Sequence, residues 1–186
     1  MSTIKDQTEL GGMLGESLTV RKVNGRVVIK NRPQRKTEIK SDKQVKFKDK
    51  FLLASQYATR QMKRDDVKAL YEAAATGPKQ TAYAIAVRDF LIAPTVKEID
   101  ASEYRGQVGD WIVVTAIDDF MVKKVRVTIK DGAGNKIEEG EAGPDAENVF
   151  PWVYIATIAN PLLPGTKIEA VAYDRPGNKG RAEVVL

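Results

Sequence analysis

The interval between apolar side chains changes midway along the chain. Beyond Pro94 they alternate with polar residues, the pattern of strands with one buried face. Trp111–Ile117 and Met121–Ile129 show it most clearly, with Val125, Val127 and Ile129 set inward and Lys124, Arg126 and Thr128 outward. Val96–Ala101, Lys136–Gly140, Phe150–Thr157, Lys167–Tyr173 and Arg181–Leu186 complete seven short strands, with a turn at Asp131–Asn135. Seven strands in about 90 residues predict two antiparallel sheets packed as a sandwich.

The first half opens on a different signal. Leu18–Val23 and Arg26–Lys30 are β-branched runs separated by Asn24-Gly25. A two-residue type I′ turn needs positive φ at both positions, which Asn and Gly tolerate best, so a hairpin is predicted. Gly11, Gly12 and Gly15 suggest a turn-rich lead-in, and Pro33 makes residues 31–40 an extended connector. Ser41 and Gln44 have the spacing of a capping box. From there Phe47, Phe51, Ala54, Ser55, Ala58 and Met62 recur at helical intervals and predict one buried stripe. Lys43, Lys46, Lys50, Tyr57 and Arg64 fall on a second stripe beside it. Asp65-Asp66 is expected to cap a second helix, Val67–Ala75, ended by Gly77-Pro78. A third, Thr81–Leu91, places Tyr83, Val87, Phe90 and Leu91 on one side before Pro94 breaks it.

The expected fold is therefore an α+β amino-terminal region, a β-hairpin plus about three short helices, followed by an all-β sandwich. The domain boundary is expected at 94/95. Charge follows the same division. Residues 1–94 carry 19 Lys and Arg against 10 Asp and Glu, a net of +9, whereas residues 95–186 carry 11 against 15, a net of −4. Between Val20 and Lys50 there are 12 basic and 3 acidic residues. Such a block reads as a surface for an anionic or acidic partner, or as a solvated face.

There is no Cys and no His. Thiolate nucleophiles, imidazole bases, Ser-His-Asp triads and Cys/His zinc sites are excluded by inventory. No catalytic residue, metal ligand or cofactor is expected, although carboxylate-only hydrolysis stays compatible with the composition. Asp118, Asp119, Asp131 and Asp174 lack the order of a calcium loop and read as turn residues. Gly11–Gly15 lacks the Gly-Lys-Ser/Thr ending of a phosphate loop. Trp111 is expected in the core, and Phe150–Tyr154, three aromatics around a proline, reads either as an edge strand or as a strand packed within its own sheet. The first residues lack a basic region followed by an apolar stretch, and no apolar run approaches a bilayer span, so a cytoplasmic start without a membrane segment is expected.

Trp111–Asp119, Val125–Ile129 and Ala170–Asn178, the last containing Ala-x-Asp-x-x-Gly-Asn at 172–178, together resemble bacterial immunoglobulin-like or fibronectin type III-like modules. The resemblance covers about 90 residues and implies an immunoglobulin-like sandwich used as an adhesive or spacer body. Leu18–Pro33 and Ser41–Ala58 are similar to a poorly characterised group of Bacteroidota proteins that joins a hairpin and basic connector to a helix rich in Lys and Phe. That similarity implies a mobile-element or phage-structural setting.

The combined expectation is a non-enzymatic structural or protein-interaction protein with a basic attachment region, its partner another protein or a second copy. The alternative is nucleic-acid binding through the same cations. The candidate contact residues are Arg21, Lys22, Arg26, Lys30, Arg32, Arg35, Lys36, Lys40, Lys43, Lys46 and Lys50, with Tyr57 as a base-stacking side chain.

Overall fold

The computed structural model describes residues 11–14, 17–23, 26–31, 41–77, 80–145 and 151–186. The chain forms two compact units, Met1–Ser41 and Asp42–Leu186.

In the first unit β1 (Gly11–Leu14), β2 (Leu18–Val23) and β3 (Arg26–Asn31) form an antiparallel sheet in that order. The hairpin strands fall where the β-branched runs predict them; the Asn24-Gly25 turn lies outside the described residues. β1 was not expected, because two glycines in four residues carry no strand pattern.

The second unit begins with α1 (Asp42–Gln61), α2 (Asp65–Ala73) and α3 (Ala82–Leu91). Ala54, Ala58 and Ala86 are fully buried, and α1 packs along α3, which α2 also contacts. Small side chains at those positions let the helix backbones approach closely. Val67, Tyr71 and Ile85 supply most of the bulk between them.

Several expectations for the helices are corrected. Phe47 and Phe51 are not buried but 64% and 47% exposed. The reason is length. Lys50 Nζ donates to the carbonyl of Leu91, the last residue of α3, at 2.9 Å. At 1.5 Å per residue, a ten-residue α3 flanks only about ten residues of α1, and the turns before Lys50 extend past its end. The N-cap of α2 is Arg64, whose side chain bonds Asp66 and does not cap the backbone, while Asp65 and Asp66 lie in its first turn. The helix stops at Ala73, before Gly77; Pro78 lies outside the described residues. On α3 the buried residues are Ala82, Ile85, Ala86, Val87 and Asp89, and Tyr83 is exposed. Thr81, expected within α3, is instead its N-cap, its hydroxyl accepting from Ala84 N at 3.2 Å.

Seven strands follow: β4 (Thr95–Asp100), β5 (Trp111–Ile117), β6 (Val122–Lys130), β7 (Lys136–Pro144), β8 (Pro151–Ile155), β9 (Lys167–Asp174) and β10 (Lys179–Val185). All pairings are antiparallel, in the order β10-β9-β6-β7-β8-β5-β4. β7 belongs to both halves of this sheet. Lys136–Ala142 pairs with β6, and Gly143-Pro144 pairs with Val153-Trp152 of β8. The result is sandwich-like, an α+β chain with a large antiparallel body. Its core joins Ile112, Val114, Val125, Val127, Ile129 and Ile168, each fully buried. The position 94/95 lies within the second unit, between this cluster and the helical one.

One strand expectation is corrected by the register, and for Phe150–Tyr154 the second of the two readings, packing within its own sheet, is the one observed. Ile112, Val114 and Ala116 take the inward positions of β5, so Trp111 faces outward, 49% exposed and opposite Ile155. β8 is not an edge strand. It lies between β5 and β7, with Pro151 tolerated as its first residue.

Candidate interaction surface

The register of β2 and β3 sorts the hairpin side chains onto two faces. Arg21 lies opposite Val28 and Thr19 opposite Lys30, so Arg21, Arg26 and Lys30 share one face. Val20 lies opposite Ile29 and Lys22 opposite Val27, so Leu18, Val20, Val27 and Ile29 share the other, with Lys22 at its end. Val27 and Ile29 are 50% and 56% exposed. An apolar face left in water gains free energy when it is covered.

The first turns of α1 repeat the combination. Every residue from Asp42 to Leu53 is exposed, including Val45, Phe47, Phe51, Leu52 and Leu53. Phe47 and Phe51 extend the same stripe that Ala54 and Ala58 bury lower down. Lys43, Lys46, Lys48 and Lys50 stand among them.

Ion pairing separates the two halves further. On the outer face of the sandwich Lys124 pairs with Glu141 at 3.0 Å, Arg126 with Glu139 at 3.2 Å, and Lys130 with Glu169 at 3.6 Å. Among the described residues Arg21, Lys22, Arg26, Lys30, Lys43, Lys46, Lys48 and Lys50 make no ion pair. Arg32, Arg35, Lys36 and Lys40 lie outside the described residues. Tyr57 is half-buried, its ring 5.3 Å from that of Phe90 and its hydroxyl 3.0 Å from that of Tyr71. Those contacts make it a member of the helical core. Burial raises its hydroxyl above the usual phenol range.

The four aspartates singled out in the sequence all have structural employment. Asp118 accepts from the amides of Phe120 and Met121, and Asp131 from the amide and side chain of Asn135. Asp174 accepts from the amides of Gly177 and Asn178 at 2.7 and 2.6 Å, and Asp119 pairs with Arg88. Among the described residues no three acidic side chains converge on a point that could hold a metal.

A pocket of about 280 Å³ opens beside the turn after β5, lined by Ala116, Ile117, Asp118, Phe120, Met121, Val122 and Trp152. Among the described lining residues the only ionisable one is Asp118, whose Oδ2 is occupied by the turn amides. The sequence reading missed Asp89, which is completely buried on α3 and accepts from the Tyr71 hydroxyl at 2.5 Å. The signal was present: Ala82, Ile85 and Asp89 share one helical face, and a carboxylate on the apolar side needs a partner.

No protein-family model matches the chain, and no curated protein matches it. A solved structure of Bifidobacterium dentium beta-glucuronidase complexed with coumarin-3-O-glucuronide is similar over 51% of this chain, at 20% identity and a TM-score of 0.30. The match spans 17% of that enzyme's chain, and so slight a likeness bears on neither fold nor activity here.

Proposed function

We propose that this chain is a non-enzymatic structural or protein-interaction protein, an immunoglobulin-like body carrying a basic attachment region, working in a phage-like or cell-surface assembly. The strand order supports the body. The first, second and fifth strands of the sandwich lie together, as do the fourth, third, sixth and seventh, with the fourth strand switching between the two groups. The observation that carries the role is the combination, on β2–β3 and on the first turns of α1, of exposed apolar side chains with cations that make no ion pair among the described residues. Aliphatic and aromatic side chains of this kind gain by meeting another protein, here a second copy or an acidic neighbour, and the surrounding lysines keep the free surface soluble.

Sedimentation of the full chain over a concentration series tests self-association. The expected result is a reversible shift to larger species that Phe47→Ser with Phe51→Ser, or Ile29→Ser, weakens at least tenfold. A chain that sediments as a monomer throughout, with or without those changes, removes the self-assembly form of the proposal.

The cationic face of Arg21, Arg26 and Lys30 favours one alternative, nucleic-acid binding. Fluorescence anisotropy with a labelled duplex across a salt series decides it. Affinity that falls linearly in log–log form, with a slope of about −0.9 per phosphate contacted, supports that reading, and absence of binding from low salt up to about 100 mM rejects it.

A further inference from the structure

Between the helices and one end of the sandwich runs a seam of buried polar groups. Asp89 of α3 sits in it with no exposed surface, and Asp174, at the end of β9, is 2% exposed. Asp89 Oδ2 takes the Tyr71 hydroxyl of α2, and that hydroxyl meets the Tyr57 hydroxyl of α1. Among the described residues Asp89 Oδ1 has no hydrogen-bond partner, nor has Asp118 Oδ1 in the turn after β5, nor Arg175 Nε in the turn after β9. The phenyl ring of Phe120 lies on that of Tyr71, centroids 4.4 Å apart. Asn178 stitches the two sides together. Its Nδ2 donates to Asp174 Oδ2 at 2.7 Å and reaches the carbonyls of Phe90 and Asp89 at 3.1 and 3.4 Å. Arg88 and Asp119 pair at the rim.

Three carboxylates thus gather around one seam, but their means of support differ. Asp174 is held by two turn amides and the Asn178 side chain, and Asp118 by two turn amides on one oxygen. Among the described residues Asp89 accepts only the Tyr71 hydroxyl, its second oxygen takes no hydrogen bond, and Arg175 is the one cation that favours its charge. A buried carboxylate in that position is cheaper protonated than ionised.

We propose that Asp89 is a proton-operated latch: protonated, it lets α2 and α3 close on the 118–121 and 174–178 turns, and ionised, it loosens that seam. Burial, then repulsion from Asp174 and Asp118, raises its carboxyl to about 7, against the opposing pull of the Tyr71 hydrogen bond and of Arg175. Asp174 is also raised, by burial first, and Tyr57 and Tyr71 are both pushed upward and stay protonated. The folded value exceeds the unfolded one, so the stabilising contribution is complete below the ordinary carboxylate range. It is lost as the pH rises through about 7.

Thermal unfolding of the full chain at pH 5.5 and pH 8.5, at fixed ionic strength, is expected to give a Tm several degrees lower at the higher pH. Asp89→Asn keeps an acceptor for Tyr71 and is expected to remove most of that difference. Hydrogen exchange, corrected for intrinsic rates, is expected to show amides of α3 and of residues 174–178 losing protection at pH 8.5 more than those of β6. An unchanged Tm difference in Asp89→Asn overturns the latch, as does protection lost evenly across the chain. Should Asp89→Asn not fold, carboxyl ¹³C titration of the unsubstituted protein decides alone: a midpoint near 7 for Asp89 upholds the proposal, and one below 5 overturns it.

Discussion

Glu138 shows how single residues in this chain repay burial of charge. It is 5% exposed on β7, and its Oε2 collects the Tyr154 hydroxyl at 3.0 Å, the Thr157 amide at 2.9 Å and the Thr157 hydroxyl at 2.8 Å. Burial and this carboxylate push the Tyr154 hydroxyl well above the phenol range, so it remains a donor. The group therefore ties β7 to β8 and to the segment that follows. Glu138→Ala strands those donors without acceptor and is expected to destabilise by about 1–3 kcal/mol, whereas Glu138→Gln retains an oxygen and should cost less. Urea denaturation of the two variants separates them. Equal losses would mean that Oε2 contributes no more than side-chain volume. Asp89, likewise buried, has a single hydroxyl donor in place of that set of three.

At the scale of elements, β10 meets the entry to β4 through Gly180. A Cβ added there would sit 2.0 Å from the Pro94 carbonyl oxygen and 3.2 Å from Thr95 Cα. Both contacts are backbone, which cannot swing aside, so Gly180→Val is expected to cost about 1–3 kcal/mol and to raise exchange in β4 and β10 together. A loss of protection confined to β10 would show that the two strands are independent. Most strands of the sandwich were legible because a period of two names both the element and its inward face, as Val125, Val127 and Ile129 illustrate. Trp111 was misread because size argued for the core while parity put it outside. On α1 the sequence stripe identified an apolar side from Phe47 to Met62, but a stripe is silent about how far the neighbouring helix reaches. Only the short α3 decides that Ala54 is buried and Phe47 is not. The Asp89 seam was less legible still, since its members come from α1, α2, α3 and two distant turns.

Taken whole, the second unit holds two apolar clusters of unequal strength. The helical one is built largely on alanines, Ala54, Ala58, Ala82 and Ala86, around Val67, Tyr71 and Ile85. The sandwich joins Ile112, Val114, Val125, Val127, Ile129, Ile168 and Tyr154. Burial energy scales with apolar area, and an alanine contributes far less than a valine or isoleucine, so the helices rest on the smaller reserve. Phe120, the Asn178 bonds and the Arg88–Asp119 pair couple them to the larger. Denaturation is accordingly expected in two steps, helices first, with circular dichroism at 222 nm leading the loss of Trp fluorescence. Asn178→Ala deletes the bonds to the Phe90 and Asp89 carbonyls and should lower the first step by about 1–3 kcal/mol. The second step should move less, by the loss of the Asp174 contact alone. Coincident transitions in both proteins would show that the seam welds the clusters into one cooperative body, and the latch would then act on the stability of the entire unit rather than on the helices alone.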